Sequence, residues 1–132
     1  MTELEMSKIH RKVWNKFRYR FDDKNYGVME DWRSHADAVN RGEVFTDDCD
    51  GFAFTMVELM IEAGFPRDKV LFIVCETETG EGHAVSGYEV DGTTYIAENR
   101  YESVYDWNDS DYNWMYFMRF DNPGQWYKVT ND

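Results

Sequence analysis

The chain has 132 residues, 42% of them apolar and 17% aromatic, with 26 acidic against 14 basic side chains and a formal charge of −12. Such a length and apolar share suit one domain spanning 1–132 with a real core, and exclude a disordered chain. The acidity argues against nucleic acid, whose phosphates call for clustered Lys and Arg, and suits a neutral or cationic partner, a bound divalent cation, or plain solubility. No stretch approaches the apolar run of a membrane span, and the charged start MTELEMSKIHRK lacks the apolar segment of a secretory signal. The expectation is a cytoplasmic protein, or one exported by a route the chain does not show.

In chain order, Ile9, Val13, Trp14 and Phe17 recur at near-helical spacing and predict an amphipathic helix over roughly residues 4–19. The stretch YRFDDKNYGVMEDW, Tyr19 to Trp32, reads as a loop rich in acids and aromatics. Its Tyr26 and Trp32 either line a substrate cleft or anchor the loop. Ser34 as N-cap, Asp37 three residues on and Gly42 as a stop bracket a short helix. From Asp50 to Ala63, DGFAFTMVELMIEA is apolar on most of its circumference, the pattern of a buried helix, and Gly64 and Pro66 end it. Val70–Glu76 is an unbroken apolar run and predicts a central strand, with Cys75 as core packing. Ala84–Val90 and Thr93–Glu98 flank Asp91-Gly92, a strong hairpin signal. Asn113–Phe120 alternates as a further strand, placing Trp114, Tyr116, Met118 and Phe120 on one side. Helices first and antiparallel strands after them define an α+β chain.

Cys49 stands directly before the buried helix. A thiol there faces unpaired backbone N–H groups and the positive end of the helix dipole, which lowers its pKa and can hold an oxyanion. Asp47, Asp48 and Asp50 oppose this by like charge, so a reactive Cys49 needs an imidazolium or a cation beside it. The hairpin supplies a histidine. With a two-residue turn at Asp91-Gly92, Val90 pairs with Thr93, Val85 lies opposite Glu98, and His83 lies opposite Arg100. His83 and Glu98 then become diagonal neighbours on one face, while Asn99 points the other way. A three-residue turn or a bulge would exchange them and make Asn99 the partner. Thiol, imidazole and orienting acid are what acyl transfer to sulfur requires. His10 and His35 have no motif around them and receive no role.

At these residues the sequence resembles the bacterial transglutaminase-like cysteine proteinases. That pattern stands here as Asp31-Trp32, the DDCDG of Asp47–Gly51 opening a helix, the GHAV of Gly82–Val85, and Glu98-Asn99. The resemblance covers roughly residues 7–127. It implies a papain-like, transglutaminase-like α+β core with a Cys-His-acid triad, carried onto Cys49, His83 and Glu98, and a protein or peptide substrate. Some members are periplasmic, release surface adhesins and use calcium held by acids beside the cysteine. Asp48 and Asp50 match two such acids, although the chemistry itself requires no cofactor. The chain departs from the pattern at three places. Asp47 replaces a glycine, Gly51 replaces the second acid after the cysteine and so removes a metal ligand, and Glu98 replaces an aspartate.

The leading expectation is a thiol-dependent hydrolase of peptide or related amide bonds. Two alternatives stay open: transglutaminase-type acyl transfer to an amine, and an inactive binding protein on the same fold.

Overall fold

A computed structural model of the chain describes residues 2–19 and 34–129. Tyr26 and Trp32, and with Trp32 the expected cleft residue, lie outside the described residues. None of the described helices is long and apolar enough to cross a membrane.

Helix α1 spans Glu3–Lys16, with the Thr2 side chain accepting from the Glu5 N–H as its N-cap. It buries Met6, His10 and Val13, one residue per turn on one stripe, while Ile9 and Trp14 flank them partly exposed. The helix stops three residues short of expectation. Phe17–Tyr19 instead forms strand β1, paired in parallel with β2, Phe45–Asp47. Aromatic residues lose side-chain freedom in a helix. Here Phe17 gains edge-on packing against Phe45 and Phe52, with ring centroids 5.6 and 4.9 Å away. The pairing sets Tyr19 opposite Asp47, two residues before the cysteine.

Between them, α2 is one short turn, Ala36–Asn40, entered through His35, with the Ser34 hydroxyl accepting from the Ala36 N–H. Gly42 takes the positive φ of 74° that stops it. Helix α3, Cys49–Glu62, begins one residue earlier than the apolar pattern indicates, because Asp48 caps it by accepting from the N–H groups of Asp50 and Gly51. Phe52, Ala53, Met56 and Met60 are fully buried. Each large side chain among them is worth roughly 1.5–3 kcal/mol of transfer free energy, so this helix is held by the core.

The main sheet has six antiparallel strands in the order β6-β5-β4-β3-β7-β8. They are β3 (Val70–Glu76), β4 (Gly82–Val90), β5 (Thr93–Ala97), β6 (Tyr105–Asp106), β7 (Asn113–Arg119) and β8 (Trp126–Lys128). The β4–β5 turn is Asp91-Gly92 with both φ values positive, 52° and 79°, and the ladder pairs Val90 with Thr93 through Ser86 with Ala97. The two-residue turn therefore sets the register that the Asp-Gly signal implies. One face of the sheet packs on α1 and α3 through Val70, Phe72, Ala84, Tyr88 and Ala97. The other buries Leu71, Ile73, Cys75, Val85 and Ile96 under Tyr112, Trp107 and Trp114.

Strand β7 departs from simple alternation. Its pairing with β3 shifts between Val74 and Cys75, so Trp114 faces Cys75 while Tyr116 faces Val74. The extra residue turns Trp114 onto the face away from α3, opposite to Met118 and Phe120, which stay on the α3 side.

Candidate active site

Cys49 is the first residue of α3 and half-buried. Cys49 and His83 line one cleft of about 370 Å³, together with Tyr19, Thr77, Thr79, Glu81, Gly82, Asn99 and Arg100. The two groups come from different layers. His83 shares the sheet face of Cys75, away from α3, yet it is the second residue of β4. It therefore sits at the sheet's rim, where the start of α3 abuts the strand. A larger hollow of about 420 Å³ lies beyond Tyr105 and Tyr112 and contains neither Cys49 nor His83.

The imidazole is held from behind. His83 Nε2 donates to Glu98 Oε1 at 2.7 Å, with His83 8% and Glu98 1% exposed. Asn99, the other candidate, also lines the cleft but makes no such bond; its Oδ1 is buried without a partner among the described residues. Glu98 is the centre of a network that sequence reasoning missed. Tyr112 donates to Oε1 at 2.9 Å and Tyr105 donates to Oε2. Burial first, and the Glu98 charge second, push both phenols' pKa values up, so each keeps the proton it donates to Glu98. Arg100 donates to the Tyr112 oxygen at 2.9 Å and is clamped by Glu78 at 2.7 Å, which holds the Glu78 carboxyl down at about 2. No local pattern marks the two tyrosines, since they reach Glu98 from β6 and from the segment that leads into β7.

The thiol is not in the state that its helix position suggests. Burial pushes Cys49 up to about 12, the Asp50 and Asp48 charges add to this, and an Ala84 backbone hydrogen bond opposes it only in part. The thiol donates to Asp50 Oδ1 with the sulfur 3.7 Å away. The helix dipole, worth under about 1 kcal/mol, loses to desolvation and two carboxylates. Asp48 also takes the N–H groups of Asp50 and Gly51, which leaves that of Cys49 as the first-turn donor with no partner among the described residues. A measurable consequence follows. Asp50→Asn removes the nearest negative charge, so the midpoint of Cys49 alkylation against pH should fall by about one unit or more; an unmoved midpoint would mean that burial alone governs the thiol.

Two departures from the expected motif are one structural change. The Asp47 carboxylate accepts from the Asp48 N–H at 2.8 Å and from His35 Nε2 at 2.7 Å. A Cβ on Gly51 would fall 2.0 Å from Asp47 Oδ2, so the aspartate occupies the space of a side chain at 51. His35, which receives no role from sequence, stacks on Phe45 at 4.7 Å and donates its backbone N–H to Thr55 Oγ1 at 2.9 Å, closing this turn.

A helix led by cysteine, packed on an antiparallel sheet whose rim carries a histidine bonded to a buried acid, defines a thiol peptidase of the papain-like and transglutaminase-like kind. The profile of the bacterial transglutaminase-like cysteine proteinases matches residues 2–132, and the chain belongs to that family as a transglutaminase-like cysteine peptidase. Among solved structures, Legionella pneumophila LapG is similar, with a TM-score of 0.72 and 17% identity over 98% of this chain and 70% of that one. Its calcium-bound form gives 0.73 and 17%, covering 96% and 68%. Its EGTA-treated form gives 0.73 and 17%, covering 97% and 67%. No curated protein sequence matches the chain.

Calcium takes six to eight oxygen ligands. Asp48 and Asp50 repel each other, and burial together with the Asp50 charge raises the Asp48 carboxyl to about 6, a strain that a cation would relieve. Yet Asp48 Oδ1 is already used by backbone donors, Asp47 is bonded to His35, and position 51 carries no side chain. Among the described residues no group of three His, Cys, Asp or Glu side chains converges on one point. The described residues do not complete a calcium cage by themselves, and no catalytic step below uses a metal.

Proposed function

We propose that this chain hydrolyses peptide or related amide bonds through a thioester on Cys49, with His83 as proton carrier and Glu98 as its orienting acid. The observation that supports this most is the buried 2.7 Å bond from His83 Nε2 to Glu98 Oε1, at the rim of the cleft that also holds Cys49. With Nε2–H committed to Glu98, Nδ1 is the ring nitrogen left to accept a proton.

Because the resting thiol is protonated, attack proceeds with general-base help. Cys49 turns from Asp50 to His83, its proton passes to Nδ1, and the sulfur adds to the carbonyl carbon. The oxyanion accepts the Cys49 N–H. The imidazolium, its charge balanced by Glu98, gives the proton to the departing amine. Water, deprotonated by the same nitrogen, then attacks the thioester, frees the acid and restores the thiol.

Cys49→Ala should leave the fold intact and abolish labelling by a peptide-like electrophile. Undiminished labelling, through Cys75, would defeat the assignment. Transamidation uses the same thioester with an amine in place of water. The attacking amine must be in its neutral form, and product analysis with an added primary amine separates the two. A binding protein without catalysis is favoured by the raised thiol. It would show alkylation of Cys49 rising only at alkaline pH with no substrate turnover, whereas the catalytic reading demands turnover near neutrality.

A further inference from the structure

His10 lies midway along α1 on a stripe whose other buried members, Met6 and Val13, are apolar. It is 0% exposed, wedged edge-on between Trp14 and Phe52 with ring centroids 5.9 and 5.7 Å away. Burial holds its pKa below the ordinary histidine value, so the ring is neutral. One nitrogen, Nδ1, is buried without a hydrogen-bond partner among the described residues. The other, Nε2, donates at 2.8 Å to the main-chain carbonyl of Glu98.

A core position filled by a half-satisfied polar ring costs stability that a phenylalanine would not. Violations of this kind concentrate where function requires them. Here the single bond goes to the residue whose carboxylate holds His83. The β4–β5 ladder ends at the Ser86–Ala97 pair, so the Glu98 peptide lies just past the sheet and lacks a ladder bond to orient it. Helix α1 supplies that restraint through His10.

We propose that His10 is a positioning residue for the triad, fixing the Glu98 main chain so that its carboxylate stays aimed at His83. The inference rests on the triad reading above and extends the machinery to the N-terminal helix. The bond spans 88 positions in sequence. Misplacing a catalytic group by about an ångström is enough to cost up to roughly a hundredfold in rate.

The test uses the full chain and three variants, His10→Phe, His10→Gln and His10→Met. Each is followed by melting temperature and by the saturable labelling of Cys49 with a peptide-like electrophile, resolved into its binding constant and its maximal rate. His10→Phe should melt near the wild-type temperature, because loss of the orphaned Nδ1 offsets the Glu98 carbonyl left without its donor. It should nevertheless label with a maximal rate down about tenfold or more, at an unchanged binding constant. His10→Gln, which keeps an N–H donor, should recover part of that rate without melting higher than His10→Phe. If the phenylalanine variant fails to fold, the donorless and flexible His10→Met takes its place with the same expectations. A donorless variant labelling at the wild-type maximal rate overturns the proposal, as does loss of rate only in step with the folded fraction in all variants. Absence of Cys49-dependent labelling in the wild type would instead defeat the triad reading, and this inference with it.

Discussion

Glu98→Gln is expected to leave the chain folded and to cut kcat/KM for an amide substrate by about 10³–10⁴, the scale seen when a triad acid becomes an amide. The carboxylate accepts from His83, Tyr112 and Tyr105. An amide has one acceptor oxygen and one donor nitrogen, and cannot serve all three. If the oxygen turns to Tyr105, the amide nitrogen faces Tyr112 and His83 Nε2 and forces the ring into the tautomer with Nδ1 protonated. That nitrogen then has no lone pair for the Cys49 proton, and no charge remains to balance the imidazolium. Stability should change little by comparison, because the tyrosine hydroxyls can rotate. Glu98→Ala is different. It strands three donors, two of them buried, and should cost about 3–5 kcal/mol in denaturant unfolding. A glutamine variant active within tenfold of wild type would show that Glu98 does not set the tautomer.

Gly51→Ala carries the second large effect, and its sign is the informative part. Glycine in a helix is less favourable than alanine by about 1 kcal/mol, so on propensity alone the change should stabilise α3. Instead the new Cβ would sit 2.0 Å from Asp47 Oδ2 and 2.1 Å from Asp47 Cγ. The carboxylate must leave, breaking its bonds to His35 and to the Asp48 N–H and shifting the turn that presents Cys49. A loss of about 1–3 kcal/mol, the usual range for overpacking, is expected, with a drop of about a hundredfold in Cys49 labelling. Asp47→Gly in the same chain should recover most of both, because the obstruction and the displaced acid vanish together. Additive losses in the double-mutant cycle would mean that the two positions are independent.

The geometry of the candidate site was legible in sequence wherever one short-range rule governed it. Asp91-Gly92 admits a two-residue turn with positive φ at both positions, and that turn counts His83 and Glu98 onto one face. A one-residue slip would have exchanged Glu98 for Asn99, so the register carried the distinction. The start of α3 was legible in the same way, since an acid cap before an apolar stretch places Cys49 at a helix N-terminus. The state of the thiol was not. Dipole and carboxylates could be read from neighbours in the chain, but desolvation, the largest effect, depends on what packs over the sulfur. The early end of α1 shows the same limit, because Phe17 continues a helical period yet finds better packing on Phe45 and Phe52. The reversal of Trp114 depends on an extra residue between β3 and β7 that no alternation rule reveals.

Sequence alone determined the α+β order, the hairpin register and the three candidate catalytic side chains, because each follows from backbone rules acting over a few residues. Only the tertiary structure decided which groups surround them: Tyr105 and Tyr112 on Glu98, Asp47 in the space of a side chain at 51, and His10 behind the acid from another layer. Such contacts join residues far apart in the chain. They arise from shape and buried hydrogen-bonding capacity, for which no local period exists.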